Sequence, residues 1–286
     1  MSTAKLTAKS TALAILWLGA LTVLSSCNSL SPLSPNHPPT VSVANTTTLF
    51  SDERYARVLQ AYVNETGLVD YPALQANPQP LQEFVATLGT VAPSQYAAWS
   101  KNEKIAFLIN AYNALTLAAI IEQKPLKNSI KDIFGVWNFT KHRVMGTEKT
   151  LDNIEHNILR KDFQEPRIHA ALVCAARSCP PLRREPYVGS QLSTQLDDQV
   201  RRWLASGQGL QINRPQRQVK ISAIFKWFGE DWQPQYSTTG QFKGSEKERA
   251  VLNFISNYVT PPDKDYLARG NYRLQYLNYD WSLNRQ

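Results

Sequence analysis

From Ser51 onward the apolar positions recur at helical spacing. Tyr55, Val58, Leu59, Tyr62 and Val63 stand at i, i+3, i+4, i+7 and i+8, one apolar stripe, with Asp52 and Glu53 in the first turn and Gly67 beyond the end. Asn77-Pro78 opens a second helix carrying Leu81, Phe84, Val85 and Leu88, with Gly89 as its stop. Ser100 and Glu103 have capping-box spacing ahead of KIAFLINAYNALTLAAIIE, Lys104 to Glu122. That run is apolar on nearly every side and predicts a central buried helix. Thr150 caps LDNIEHNILR, with Leu151, Ile154 and Ile158 inward. His156 then points away from this stripe and lies beside Asp152 and Arg160, at i−4 and i+4.

The second half is more mixed. Pro166 breaks the chain before RIHAALVCAARSCPPL, and Arg167–Cys174 reads as an extended strand. Alternation would put His169, Ala171 and Val173 on one face and Ile168, Ala170, Leu172 and Cys174 on the other. Ser190 caps a helix with Leu192, Leu196, Val200, Trp203 and Leu204, ended by Gly207. LQIN and QVKIS flank an Arg-Pro-Gln-Arg turn and predict a hairpin. Ile224 to Phe228 is an aromatic knot, half buried and helical. Ser245 and Glu248 form a second capping box leading to Val251, Phe254, Ile255 and Tyr258, with Pro261-Pro262 as the helix end. Tyr272 to Leu277 reads as a late strand. Helices outnumber strands and nothing divides the chain after Phe50. The expectation is one α+β domain over residues 50–286, helix-rich, with a small, largely antiparallel sheet around the central buried helix.

The first 49 residues obey a different rule. Lys5 and Lys9 precede an uncharged apolar run, Thr11 to Leu24, too short for a comfortable membrane span. Leu24-Ser25-Ser26-Cys27 follows and resembles a bacterial lipobox. Residues 1–26 are therefore expected to be a lipoprotein signal peptide, with Cys27 lipidated and anchoring the chain to a membrane. Residues 27–49 are rich in Ser, Pro, Thr and Asn, contain His37, and read as a flexible tether. The implied location is the bacterial cell envelope outside the cytoplasm. Asn28, where an aspartate would favour inner-membrane retention, points to the outer membrane of a Gram-negative cell.

Composition adds one point. Hydrophobic residues are 43% and charged residues 19%, as for a packed globular core, and the formal net charge is +8. The basic residues, among them Arg183-Arg184, Arg201-Arg202 and Lys141-His142-Arg143, are spread along the chain. They suit a solvated surface, or contact with an anionic envelope glycan, lipid or protein. Nucleic acid is not an expected partner of an exported lipoprotein.

Candidate chemistry centres on Cys174 and Cys179. Three readings stay open: a structural disulfide between them, two inert thiols, or a nucleophilic Cys179. For the third, His169 or His156 would be the base, with Glu155 or Asn110 as the orienting group, and Asn110 or Asn113 as oxyanion donors. The alternative role of Asn110 and Asn113 is to tie loops to the core, because a buried amide must be hydrogen-bonded. Cys174, Cys179, His169 and His156 could make a zinc set on paper, but the opposed strand faces argue against convergence, so no metal is expected. No glycine-rich phosphate loop, Gly-x-Ser-x-Gly elbow or His-Glu-x-x-His motif is present, and no cofactor is expected.

Five blocks together, INAYNALTLAAII (109–121), LDNIEHNILR (151–160), RIHAALVCAARSCPPL (167–182), ISAIFKWFGEDW (221–232) and YLNYDWSLN (276–284), resemble the DUF547 family, a domain of unknown function in bacterial envelope proteins and in plants. The resemblance brings no activity and no family catalytic residue. The functional expectation is a lipid-anchored envelope domain acting in binding or as an accessory. Its alternative is a thiol-dependent hydrolase or acyl transferase using Cys179 and a histidine.

Overall fold

The computed structural model describes residues 50–286. The expected signal peptide of residues 1–26, Cys27, and the tether of residues 27–49 with His37 lie outside the described residues.

Helix α1 (Glu53–Tyr62) buries Tyr55, Val58 and Leu59, as its stripe requires. It is followed by α2 (Tyr71–Ala76), α3 (Gln79–Leu88) and α4 (Pro93–Ala98). Helices α2 and α4 have six residues each, too few to leave a readable period in the sequence. Helix α5 (Lys101–Ile121) starts from the full capping box: Glu103 N–H donates to Ser100 Oγ at 3.2 Å and Ser100 N–H donates to Glu103 Oε2 at 2.7 Å. Every residue from Ile105 to Ile121 is buried. By length and apolarity α5 would pass as a membrane span, but 94% of its apolar window is covered by the protein, so it is the core helix.

A short hairpin follows, β1 (His142–Val144) with β2 (Thr147–Lys149), antiparallel in the register His142 opposite Lys149. Its two turn residues, Met145 and Gly146, both have positive φ, 53° and 71°, the handedness that lets a two-residue turn match strand twist.

The LDNIEHNILR segment is helical but not α-helical. Asn153–Arg160 winds as a π-helix and runs into α6 (Lys161–Phe163). The wider turn moves the buried stripe. Ile154 and Leu159 are fully buried, five residues apart, whereas Ile158, expected inward, is only half buried.

Arg167–Cys174 is not a strand. Pro166–Ala170 forms a 3-10 turn, and the chain then runs irregularly to Cys179. The backbone groups that a neighbouring strand would have satisfied are taken by a side chain instead. Asn113 of α5 donates to Ala171 O and accepts from Val173 N–H, both at 2.9 Å. The C-terminal tail does the rest: Arg177 N–H donates to Ser282 O at 2.7 Å, and Asn284 N–H donates to Ala175 O at 3.0 Å.

Helix α7 (Leu192–Ala205) leads into β3 (Leu210–Asn213) and β4 (Gln218–Ile221), which pair antiparallel with Leu210 opposite Ile221. After them come α8 (Ala223–Phe228), α9 (Gln233–Tyr236), α10 (Glu246–Ser256), α11 (Pro261–Arg269) and β5 (Arg273–Tyr276). Strand β5 joins β4 in parallel, so this sheet is mixed, in the order β3-β4-β5. Pro261-Pro262 start α11 rather than end α10. They occupy its first turn, where no backbone N–H is needed, behind a Thr260 cap.

The fold is α+β with two apolar clusters. One gathers α1 to α5 and the start of α7; the other gathers the end of α7, the mixed sheet, α8, α10 and α11. Tyr279 packs against both clusters. Along this seam the 166–182 loop, the π-helix, α8 and the C-terminal tail meet.

Candidate functional site

A cleft of about 310 Å³ opens where those elements meet. Helix α5 contributes Tyr112, the π-helix contributes Glu155 and His156, and Asp152 lies just ahead of that helix. The loop after Pro166 contributes His169, Cys174 and Cys179. Aromatic walls come from Trp137, from Trp227 and Phe228 of α8, and from Tyr279 and Trp281 of the tail. The tail and α8 rings form one cluster of tilted contacts: Trp227 lies 4.8 Å from Tyr279, and Tyr279 4.6 Å from Trp281, centroid to centroid.

A chain of polar contacts runs behind the floor. His169 Nε2 donates to Asp231 Oδ2 at 2.7 Å. Arg160 donates to both oxygens of Asp231, at 2.6 and 2.9 Å. The other arm of Arg160 meets His156 Nδ1 at 3.1 Å, and His156 Nε2 meets Asp152 Oδ1 at 3.3 Å. An arginine only donates, so His156 Nδ1 must accept, and its proton sits on Nε2 facing Asp152. His169 likewise carries its proton on Nε2, facing the Asp231 carboxylate, which leaves its Nδ1 as a lone pair in the neutral ring. The His169 ring lies flat against Phe228 at 4.8 Å and beside Trp232 at 5.0 Å. The Arg160 guanidinium covers the Phe228 ring at 4.7 Å. Burial pushes the Asp231 carboxyl up, but the hydrogen bonds from His169 and Arg160 outweigh it and hold the group at about 2. Asp231 is therefore a fixed anion that orients His169.

Cys174 and Cys179 are joined by a disulfide. The expectation that His169 and Cys174 face apart fails with the strand it was built on; in the irregular loop His169 and both sulfurs line one cleft. The Tyr279 hydroxyl lies 3.2 Å from each sulfur. Cys174 N–H donates to Cys179 Sγ at 3.1 Å. Burial, with Glu155 adding to it, raises the Tyr279 phenol far above its ordinary range, so its proton stays on and the hydroxyl is a donor. Tyr112 is held protonated in the same way, by burial and then by the Glu155 carboxylate.

Asn110 is not part of this cleft. Its amide donates to Tyr187 O and accepts from Tyr187 N–H, both at 2.9 Å, and it also donates to Asp52 Oδ1 at 3.2 Å. Its orienting role toward a histidine is thereby corrected: it staples the 182–191 segment and the start of α1 to α5. Asn113 does the same for the cysteine loop. The arginines noted in the sequence are largely paired. Arg183 meets Asp198 at 2.6 Å, Arg202 meets Asp198 at 2.8 Å, and Arg184 meets Glu65. Among the described residues no three His, Cys, Asp or Glu side chains converge closely enough to hold a metal ion.

Sequence reading missed Asp231, Tyr279 and the Trp137, Trp227 and Trp281 walls as site residues. The signal was there: Asp231 and Trp227 lie in ISAIFKWFGEDW, and Tyr279 and Trp281 in YLNYDWSLN, two of the blocks that carry the family resemblance.

A family model described as Protein of unknown function, DUF547, matches residues 96–204, and over that span the chain resembles the family. The match contains α5, the π-helix, the cysteine loop and all but the last residue of α7, hence Glu155, His156, His169, Cys174 and Cys179. Asp231 and the α8 and tail aromatics fall outside it. Comparison with curated proteins and with solved structures gave no match.

Proposed function

We propose that the protein is an exported, lipid-anchored binding domain of the bacterial cell envelope, whose cleft takes a small organic amine or ammonium group carried on a flat apolar body. The observation that carries this reading is the lining. Asp152 and Glu155 are carboxylates, six rings surround them, and among the described residues no lysine or arginine lines the cleft. Aromatic faces attract cations, and a carboxylate in a partly enclosed site attracts them further. The lining is thus opposite in sign to the chain as a whole, which carries +8. Two features support export: in the sequence, the lipobox-like Leu24-Ser25-Ser26-Cys27 behind its apolar run, and in the structure, the pairing of Cys174 with Cys179, a bond suited to a non-reducing compartment.

The test uses tryptamine as the probe and indole-3-acetate, its carboxylate counterpart, as the control. Calorimetric titration of the purified chain is expected to show tryptamine binding that weakens at least tenfold in Glu155→Gln and in Trp227→Ala, with no binding of indole-3-acetate. Equal binding of the two probes, or unchanged tryptamine affinity in both variants, would overturn the reading.

A second reading, a thiol-dependent hydrolase or acyl transferase, is favoured by one observation. Cys179 Sγ shares a cleft with His169, which Asp231 orients at 2.7 Å. It requires the disulfide to be opened first. Hydrolysis of p-nitrophenyl acetate by the reduced chain, lost in Cys179→Ser and absent from the oxidised chain, would favour it over binding alone.

A further inference from the structure

The disulfide lies in the cleft wall rather than inside a core. Cys174 is half buried and Cys179 is 4% exposed, yet both residues line the cleft. The loop that carries them is held without the bond. Beyond the Asn113 clamp and the tail contacts, Cys179 N–H donates to Ala176 O at 3.0 Å, and Asp280 N–H donates to Ser178 Oγ at 2.9 Å. The two cysteines are five residues apart, so the bond constrains little chain. Between them Ala175, 1% exposed, sits at φ 59°, a left-handed conformation that an alanine adopts only when its surroundings impose it.

The two sulfurs are not equivalent. Cys174 is the more exposed residue of the two. Cys179 Sγ receives the Cys174 N–H at 3.1 Å, and the protonated Tyr279 hydroxyl, 3.2 Å from both sulfurs, can donate to whichever becomes charged. Both donors strengthen when the acceptor gains negative charge. Cys179 is therefore prepared as a leaving group and Cys174 as the sulfur to be attacked.

We propose that Cys174–Cys179 is a thiol–disulfide exchange centre, whose substrates are small thiols or peptide cysteines admitted to the cleft. An incoming thiolate attacks Cys174 Sγ. The new bond joins the substrate sulfur to Cys174, the Cys174–Cys179 bond breaks, and its electron pair leaves on Cys179, held by the Cys174 N–H and the Tyr279 hydroxyl. A second substrate thiolate attacks the substrate sulfur of the mixed disulfide and releases Cys174. The two protons lost by the substrate thiols end on the two cysteines. Two thiols are oxidised to one disulfide, and the protein disulfide is reduced to a dithiol. The step stands whichever ligand the cleft binds, and it needs no amine.

The test uses the full chain with Cys27→Ser in mild detergent, so that only one sulfur pair reports. The oxidised protein is mixed with excess glutathione at neutral pH, quenched with acid and read by mass spectrometry. The expected result is a glutathione adduct on Cys174, followed by a dithiol that keeps the native circular dichroism. Tyr279→Phe is expected to slow adduct formation about tenfold, the loss of one hydrogen bond to a charged sulfur. A disulfide that resists glutathione until denaturant is added, an adduct on Cys179, or exchange at an unchanged rate in Tyr279→Phe would overturn the proposal. Should Tyr279→Phe misfold, the adduct assay on the Cys27→Ser chain still decides.

Discussion

Replacing Asn113 by alanine tests how the site is held. The side chain is 3% exposed and makes two hydrogen bonds of 2.9 Å, one to Ala171 O and one from Val173 N–H. Alanine removes both and leaves a buried carbonyl and a buried N–H without partners. Each orphaned group costs about 1–3 kcal/mol, so a loss of about 2–6 kcal/mol is expected. That is a large share of the roughly 5–15 kcal/mol that holds a domain together. Urea unfolding followed by tryptophan fluorescence would read it as a lower midpoint at unchanged slope. Asn110→Ala is the control. It breaks an equivalent pair of bonds to Tyr187, also 2.9 Å each, and should cost a similar amount. Only Asn113→Ala should also disturb the folded site, because the segment it clamps carries His169 and Cys174. Tryptamine affinity and glutathione exchange, measured well below the unfolding midpoint, should fall in Asn113→Ala and persist in Asn110→Ala. A loss below about 1 kcal/mol for Asn113→Ala would refute the clamp, as would equal effects of the two variants on the cleft.

The π-helical winding makes Leu159 a core residue and Ile158 a peripheral one, so Leu159→Ala should cost about 2–5 kcal/mol and Ile158→Ala clearly less; equal costs in urea unfolding would mean an ordinary α-helical phase. Burial, only partly offset by the Asn110 hydrogen bond, raises the Asp52 carboxyl from 3.8 to about 6. The folded chain therefore keeps a proton that the unfolded chain has released, and stability should fall as pH rises from about 4 to 6 and level off above. Asp52→Asn should lack that fall, and a parallel pH profile would count against the assignment. Replacing Cys174 and Cys179 together by alanine should cost no more than about 2 kcal/mol, the entropy of so short a loop. Failure of that double variant to fold would show that the bond is structural.

The sequence alone determined what depends on local pattern. The stripe on α1, the capping boxes of α5 and α10, the all-round apolarity of α5 and the β3–β4 hairpin are written in consecutive residues, and each forms as the spacing requires. The placement of His156 beside Asp152 and Arg160 follows from helical neighbourhood, which a π turn preserves at four residues. Tertiary structure decided the rest. RIHAALVC is apolar enough to read as a buried strand, but a strand exists only if another backbone pairs with it, and here the Asn113 amide satisfies the Ala171 and Val173 groups instead. Once the pleat was gone, so was the rule that kept His169 and Cys174 apart. Pro261-Pro262 fit the end of one helix or the start of the next equally well, until Thr260 capped the second. Asp231 reaches His169 across 62 residues, and Tyr279 reaches Cys174 across 105. No periodicity encodes contacts of that range; they exist because two separate cores meet at one seam, and the side chains left facing the gap are those that neither core could bury alone.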